Sequence, residues 1–221
     1  MVPLVLLGAG AIGGIAALIA LRQRRRREAL EQYCMVRGYR FERKRPGAEA
    51  ALAETFGIFR EGHNRRWRGT ISGRVGGRAF TAFEYSYVTG GGQHSSHHRY
   101  AMLVWESAEA NLPTFSLAPE GFFQRLAHRF GVKDFDFVED PEFSRAYQLQ
   151  GDDEAAVRAL FTPARRAFFT APAPDGGKRP RHHVAGAGPR LLWWQSGGLP
   201  QPDELDQFLA DADRLRRQFL D

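Results

Sequence analysis

The fold is decided by the stretch Arg66–Tyr87, which reads RWRGTISGRVGGRAFTAFEYSY. Apolar and polar residues alternate on both sides of Gly76-Gly77, and a period of two is typical of a half-buried β-strand. A Gly-Gly pair between two such runs is a signal for a two-residue hairpin. Beyond a glycine-rich loop the alternation resumes at Tyr100 and continues to Trp105. The sequence therefore predicts a β-meander over about residues 66–105.

Shorter signals on both sides of the meander predict an α+β fold, in which an N-terminal transmembrane helix is followed by an antiparallel sheet packed with helices. We expect two regions: residues 1–27 as the membrane helix and its basic flank, and residues 28–221 as a soluble α+β domain. Its mixed helix and strand half covers about 112–221. The individual elements expected outside the meander are a helix over 22–36, a strand at 39–43, a basic and then Ala-rich connector over 43–53, a helix from 119, a strand at 147–149 and a Pro/Gly-rich surface loop over 172–181. We also expect a helix capped by Asp152 or Asp153, a helix with Thr162 as its N-cap, a hairpin over 184–194 and an amphipathic helix from 202.

The N-terminal segment Val2–Leu21 has twenty residues without a charge, and an arginine-rich run, Arg22–Arg27, follows it. Twenty helical residues cover roughly 30 Å, the thickness of a bilayer core. A cleaved signal peptide would carry its positive charge before the apolar stretch and end in a small-residue cleavage site. Positive charge behind the helix favours a cytoplasmic position for the flank. We therefore predict a single-pass protein of the cell membrane with its folded domain in the cytoplasm.

The same segment also contains Gly8-Ala9-Gly10-Ala11-Ile12-Gly13, which matches the dinucleotide-binding pattern G-x-G-x-x-G. That motif requires a strand before it and, about twenty residues on, an acidic residue that binds the ribose. Here the arginine-rich run Arg22–Arg27 and more helix follow in place of a second strand, and Ile12–Leu21 offers no polar helix face. Small residues also allow close packing in membrane helices, so we favour the membrane helix and expect no cofactor.

Positive charge is concentrated in the first half of the chain. Residues 1–100 contain 17 Lys and Arg against 7 Asp and Glu, and residues 101–221 contain 14 against 18. A basic region beside a membrane helix fits anionic headgroups, or a membrane-protein partner, better than nucleic acid, although arginines among aromatics can bind single strands. The candidate contact residues are Arg22, Arg24, Arg25, Arg26, Arg27, Arg65, Arg66 and Arg68.

Chemistry-bearing residues are sparse. His94, His97 and His98 lie in a Gly/Ser-rich stretch and are weak candidates for a zinc site, because they lack the helical spacing of known zinc motifs. The pairs Asp134/Asp136 and Glu139/Asp140 are better explained as solvated acids than as catalytic ones. Cys34 is the one cysteine of the sequence, so an intramolecular disulfide is impossible. We expect a small, partly buried thiol at this position, with acylation as the alternative. We assign no catalytic, cofactor or metal residue.

Several short aromatic motifs resemble a family of uncharacterised bacterial proteins with a single membrane anchor and a domain of unknown function. They include Gly38-Tyr39-Arg40-Phe41, Phe56-Gly57-Ile58-Phe59, Phe80-Thr81-Ala82-Phe83 and Glu142-Phe143-Ser144-Arg145-Ala146-Tyr147. The resemblance covers nearly the whole chain. It implies the membrane-anchored organisation and carries over no activity and no site residue.

The leading hypothesis from the sequence is a membrane-tethered cytoplasmic interaction or structural domain that is not an enzyme and contacts anionic lipid or a protein partner. The alternative is an enzyme, either a metal-dependent hydrolase that uses the loop histidines or an oxidoreductase that uses Gly8–Gly13.

Overall fold

The computed structural model describes residues 3–43, 48–122, 133–172 and 182–221, with the backbone alone for residues 3–16, 19, 48, 49 and 133. Within this part of the chain, nine strands form one sheet in the order β1-β2-β3-β4-β9-β8-β5-β7-β6, and all paired neighbours are antiparallel. The predicted α+β class with an antiparallel sheet is confirmed. The strands are β1 Arg40–Glu42, β2 His63–Val75, β3 Arg78–Thr89, β4 Ser96–Glu106, β5 Leu112–Pro119, β6 Lys133–Phe135, β7 Tyr147–Gly151, β8 His183–Gly188 and β9 Arg190–Ser196.

The strands β2, β3 and β4 form the meander that the alternation predicts. Val75 pairs with Arg78 around Gly76-Gly77, and both glycines have positive φ, as this tight turn requires. Both faces of β3 and β4 are buried, because the residues that alternate along each strand enter two different cores. One core contains Phe80, Ala82, Ala101, Leu103 and Trp105, and the other contains Phe83, Tyr85, Tyr87, Tyr100, Met102 and Val104.

The first core is covered by helices, and we call that side of the sheet the helix face. Leu30 and Cys34 of the N-terminal helix pack there, together with the apolar side of the C-terminal helix. We call the opposite side the aromatic face, where Leu52, Ile58 and Phe59 cover the sheet from a short helix and the 3-10 turn that follows it. The helices are α1 Pro3–Arg37, α2 Ala48–Thr55, α3 Pro141–Ala146, α4 Glu154–Leu160, α5 Pro163–Thr170 and α6 Leu205–Leu220, with the 3-10 turn at Gly57–Arg60.

Helix α1 runs without interruption from Pro3 to Arg37 and ends at Gly38, where φ is +70°. Its backbone is helical through Gly8–Gly13, so the strand and turn that a dinucleotide fingerprint requires are absent there, and that alternative is wrong. The predicted membrane segment Val2–Leu21 falls largely outside the residues described at side-chain level. Over the side chains that are described, no helix offers a stretch long and apolar enough to cross a membrane.

Several predicted elements differ from the structure. The Ala-rich stretch before Thr55, expected to be a connector, is helix α2. Pro119 ends strand β5 and does not begin a helix; residues 123–132 of that predicted helix lie outside the described residues, as do residues 173–181 of the predicted Pro/Gly-rich loop. The capping predictions are confirmed: Asp153 accepts from the Ala156 amide, and Thr162 accepts from the Arg165 amide at the start of α5.

Candidate functional site

Helix α1 meets the meander at Glu84, whose side chain is 8% exposed. Its Oε2 accepts a hydrogen bond from Arg99 of β4 at 2.5 Å and lies 3.7 Å from Nη1 of Arg26 in α1. Arg26 also donates to the carbonyl oxygen of Leu199. One buried carboxylate therefore joins α1 to two neighbouring strands, and an uncompensated charge at this position would be costly.

Two further arginines lie on the same side of the sheet as Glu84. Arg68 is directly opposite Glu84 in the β2–β3 pair, and Arg66 is opposite Ser86, which in turn is opposite Arg99. Residues directly opposite each other in an antiparallel pair project from the same face. The four arginines therefore gather on the helix face where α1 leaves the sheet. We call this group the arginine collar: Arg26, Arg66, Arg68 and Arg99.

The predicted contact residues differ in exposure and in hydrogen bonding. Arg22, Arg24, Arg25 and Arg27 are exposed on α1, whereas Arg26 turns towards the sheet. Arg65 donates instead to the backbone carbonyls of Arg60, Glu61 and Gly62, so it stabilises the turn before β2. Arg66 and Arg68 remain exposed. Arg99 was not among the predicted residues; its hydrogen bond to Glu84 and its position opposite Ser86 place it in this group.

The three histidines do not come together. His94 ends a short 3-10 turn, while His97 and His98 are consecutive in β4 and so project to opposite faces. His98 packs against the Tyr87 ring at 4.7 Å, and its Nε2 lies 2.8 Å from the Thr89 hydroxyl. Among the described residues, no group of three His, Cys, Asp or Glu side chains is arranged to hold a metal. The zinc-site alternative therefore has no supporting geometry in this part of the chain.

Cys34 is 1% exposed and lies in the core of the helix face. Burial raises the pKa of its thiol to about 11, so the sulfur stays protonated at neutral pH. Acylation needs an accessible thiolate, and Cys34 fits the buried-thiol interpretation.

An apolar pocket of about 320 Å³ lies beside the 3-10 turn, on the side of the sheet opposite the collar arginines. Its walls are aromatic and aliphatic, and the small side chain of Ala185 on β8 makes room for it: the side chains that line it include Phe56, Ile58, Phe122, Ala185 and Trp194. Arg60 and Asp152 also line the pocket, and both are exposed, so they mark its open side.

Trp194 lines this pocket and is 1% exposed. Its indole Nε1 is buried and has no acceptor among the described residues. Buried N–H groups usually have a hydrogen-bond partner. Because this nitrogen has almost no accessible surface, the unsatisfied donor lies behind the pocket wall, and the wall that Trp194 presents is apolar.

Together, the fold and these two features define a class: an α+β protein with one antiparallel sheet, an arginine collar at the exit of its N-terminal helix, and a recessed apolar pocket. The crystal structure of the mycobacterial trehalose monomycolate transport factor A, TtfA, is similar to this chain with a TM-score of 0.54 and 11% sequence identity. The similarity covers 87% of this chain and 94% of TtfA, so nearly the whole fold is shared. Comparisons with protein-family models and with curated proteins give no match.

Proposed function

We propose that this protein is a membrane-tethered interaction domain that is not an enzyme, and that its arginine collar lies against the anionic headgroups of the cytoplasmic leaflet. The observation that carries the proposal is the gathering of Arg26, Arg66, Arg68 and Arg99 around the point where α1 leaves the sheet. A basic group close to anionic lipid contributes about 1 kcal/mol per residue.

The position of the collar along α1 supports this proposal. Leu21, the last residue of the uncharged segment, is five residues before Arg26, which corresponds to roughly 7.5 Å of helix. The headgroup layer of one leaflet is on the order of 5–8 Å thick, because a bilayer is about 40–45 Å thick in total and its hydrocarbon core about 30 Å. With the uncharged segment in hydrocarbon, the collar would lie at headgroup depth.

The fold comparison supports an interaction role in general terms. TtfA is described as a transport factor for trehalose monomycolate, and a role in transport depends on binding. The two enzyme alternatives lack their defining geometry in the described residues, since α1 is helical through Gly8–Gly13 and the histidines do not converge.

Membrane fractionation tests the tether. We expect the full-length chain to remain in the membrane pellet after washes with high salt and with carbonate, and to be released only by detergent, because twenty uncharged residues resist extraction into water. In inverted membrane vesicles, added protease should digest the sheet, which we place in the cytoplasm. Recovery of the full-length chain in the detergent-free supernatant would contradict the tether.

Energy transfer tests the collar. The full-length chain is placed in nanodiscs that carry a dansyl-labelled headgroup, and transfer from its tryptophans is compared between zwitterionic and anionic lipid. We expect more transfer in anionic discs at low salt, and a return to the zwitterionic value in about 0.5 M salt, because salt screens charges at the surface. Equal transfer in both lipids at low salt would rule out contact by the collar.

A matched pair of variants separates the collar from general charge. Arg66→Gln/Arg68→Gln should remove most of the extra transfer, at a cost of about 2 kcal/mol in headgroup contact. Arg74→Gln/Arg145→Gln removes the same charge from exposed positions outside the collar and should leave the transfer unchanged. An equal loss in both variants would mean that net charge, and not the collar, attracts the domain.

A further inference from the structure

We propose that the pocket on the aromatic face binds the acyl chain of a single-chain amphiphile. This binding site is separate from the collar, because the collar arginines project from the opposite side of the sheet. The proposal depends on the lining of the pocket, its volume and its open side.

The lining selects an apolar ligand. Phe56, Ile58, Ala185 and Trp194 are all at least 94% buried and come from three separate parts of the chain, so the walls are fixed by packing on several sides. Phe122 closes one side, where its ring is 6.3 Å from the ring of Trp194 and 6.5 Å from that of Tyr100. Ligand sites are mostly apolar recesses of roughly 300–1,000 Å³ with a few polar groups. The pocket, at about 320 Å³, is within this range.

The volume selects a short linear chain. An apolar cavity of about 150 Å³ accepts benzene, and this pocket has about twice that volume. A saturated chain of roughly ten to twelve carbons would therefore fill it, by the same scaling. A second chain would find no room, which excludes diacyl lipids from full insertion.

The open side of the pocket selects an amphiphile over a hydrocarbon, because the polar head of an amphiphile can stay in water there while its chain enters the pocket. At the open side, Arg60 and Asp152 carry opposite charges. Their sum is zero, so we expect the chain, and not the charge of the head, to determine affinity.

Quenching by a brominated fatty acid tests the proposal. The full-length chain in phosphatidylcholine nanodiscs is titrated with 12-bromododecanoate, and tryptophan fluorescence is followed. We expect saturable quenching with a stoichiometry of one, and a much smaller amplitude in Trp194→Phe. Unsaturable quenching that matches partition into empty discs would overturn the proposal.

Competition with unlabelled fatty acids of eight to sixteen carbons distinguishes binding in the pocket from partition into the bilayer, because the two depend differently on chain length. Each buried methylene should improve affinity about fourfold, and the gain should stop at roughly ten to twelve carbons because the pocket is then full. Partition into lipid increases with every added carbon. A series without a plateau would therefore contradict the pocket.

A variant in which a larger side chain fills the pocket is the final control. Ala185→Leu places three extra carbons on the pocket wall and should weaken binding at least tenfold, while Ala79→Leu makes the same change at an exposed site of β3. Both variants are first shown to have the wild-type circular dichroism and melting temperature; Ser116→Leu, at another lining position, replaces Ala185→Leu if the latter does not fold. If a folded variant with the larger side chain binds 12-bromododecanoate as tightly as the wild type does, the pocket is not the binding site.

Discussion

At the scale of single residues, His182 shows how packing fixes a protonation state. Its ring lies 5.7 Å from the rings of both Phe168 and Phe169. Burial among these groups lowers the pKa of His182 to about 4, while Asp211 opposes this shift and Arg214 adds to it. The imidazole is therefore almost entirely neutral in the folded protein at neutral pH.

This shift makes the free energy of unfolding depend on pH. In the unfolded chain a histidine titrates near ~6.5, so between about pH 6.5 and pH 4 the unfolded state binds a proton that the folded state does not. Stability is full above this window and falls through it by roughly 2–3 kcal/mol as the pH decreases. Asp140 and Asp213, whose pKa values are lowered, lose their contribution only below about pH 4.

Denaturant titrations between pH 4 and pH 7.5 measure this effect. His182→Gln cannot bind the proton in either state, so most of the decrease between pH 6.5 and pH 4 should disappear in this variant. His97→Gln, at an exposed position, serves as the control and should retain the wild-type slope. If His182→Gln also retains that slope, His182 is not the group responsible.

At the scale of elements, the turn between β2 and β3 is held against α6. A Cβ on Gly76 would lie 2.5 Å from Oδ1 of Asp213, a residue of α6 that is 3% exposed. Asp213 is fixed there by Arg216 at 2.8 Å and by Arg217 at 2.6 Å. The hairpin and the C-terminal helix therefore meet at a contact with no space for a methyl group.

Two alanine substitutions in adjacent glycines separate this contact from backbone strain. Gly77 has a φ of +78° and open space around it, so Gly77→Ala should cost about 1–2 kcal/mol for the left-handed conformation alone. Gly76→Ala has the same strain and also displaces Asp213, which should add about 1–3 kcal/mol. Chemical denaturation of the two variants gives the difference. Equal costs would mean that the hairpin and α6 are not tightly packed.

The elements that could be predicted from the sequence are those with strong local signals. Alternation around Gly76-Gly77 identified the meander, and the caps at Asp153 and Thr162 located two helices. Strand β5 was missed because Pro113 and Pro119 in so short a run are typical of a loop; in the structure the second proline ends the strand. Helix α2 was missed because its Ala-rich stretch has too few apolar anchors to show a period.

The candidate sites were predictable only in part. Charge clustering identified Arg26, Arg66 and Arg68. Arg99 is 13 residues from its pairing partner Ser86 and 33 residues from Arg66, and no local sequence pattern indicates strand pairing over such separations. One usable signal was Glu84, an acid that follows Phe80 and Ala82 on the side of β3 that faces the helices. The pocket gave no sequence signal, because its walls come from residues as distant as Phe56 and Trp194.

At the scale of the whole molecule, the two cores share strands. Tyr100 and Met102 enter the aromatic face, and the intervening Ala101 enters the helix face. Loss of either core should therefore expose the other, because β3 and β4 cannot leave one side of the sheet alone. This arrangement predicts a single cooperative unfolding transition.

Two probes on opposite faces test that cooperativity. Maleimide labelling of Cys34 reports the helix face, since the thiol is 1% exposed, and the change in fluorescence between wild type and Trp194→Phe reports the aromatic face. Their denaturant midpoints should coincide within error. Cys34 labelling at a clearly lower midpoint would show that α1 detaches before the sheet unfolds.

The continuity of α1 has a mechanical consequence. Its 35 residues form one rod of roughly 52 Å, and the end that carries Leu30 and Cys34 is packed against the helix face of the sheet. Because the helix has no break, a tilt or rotation of its first turns also turns the strands packed against its other end, by the same angle. The tilt of the helix therefore sets the orientation of the sheet and the direction in which the pocket opens. A flexible linker would leave both undetermined.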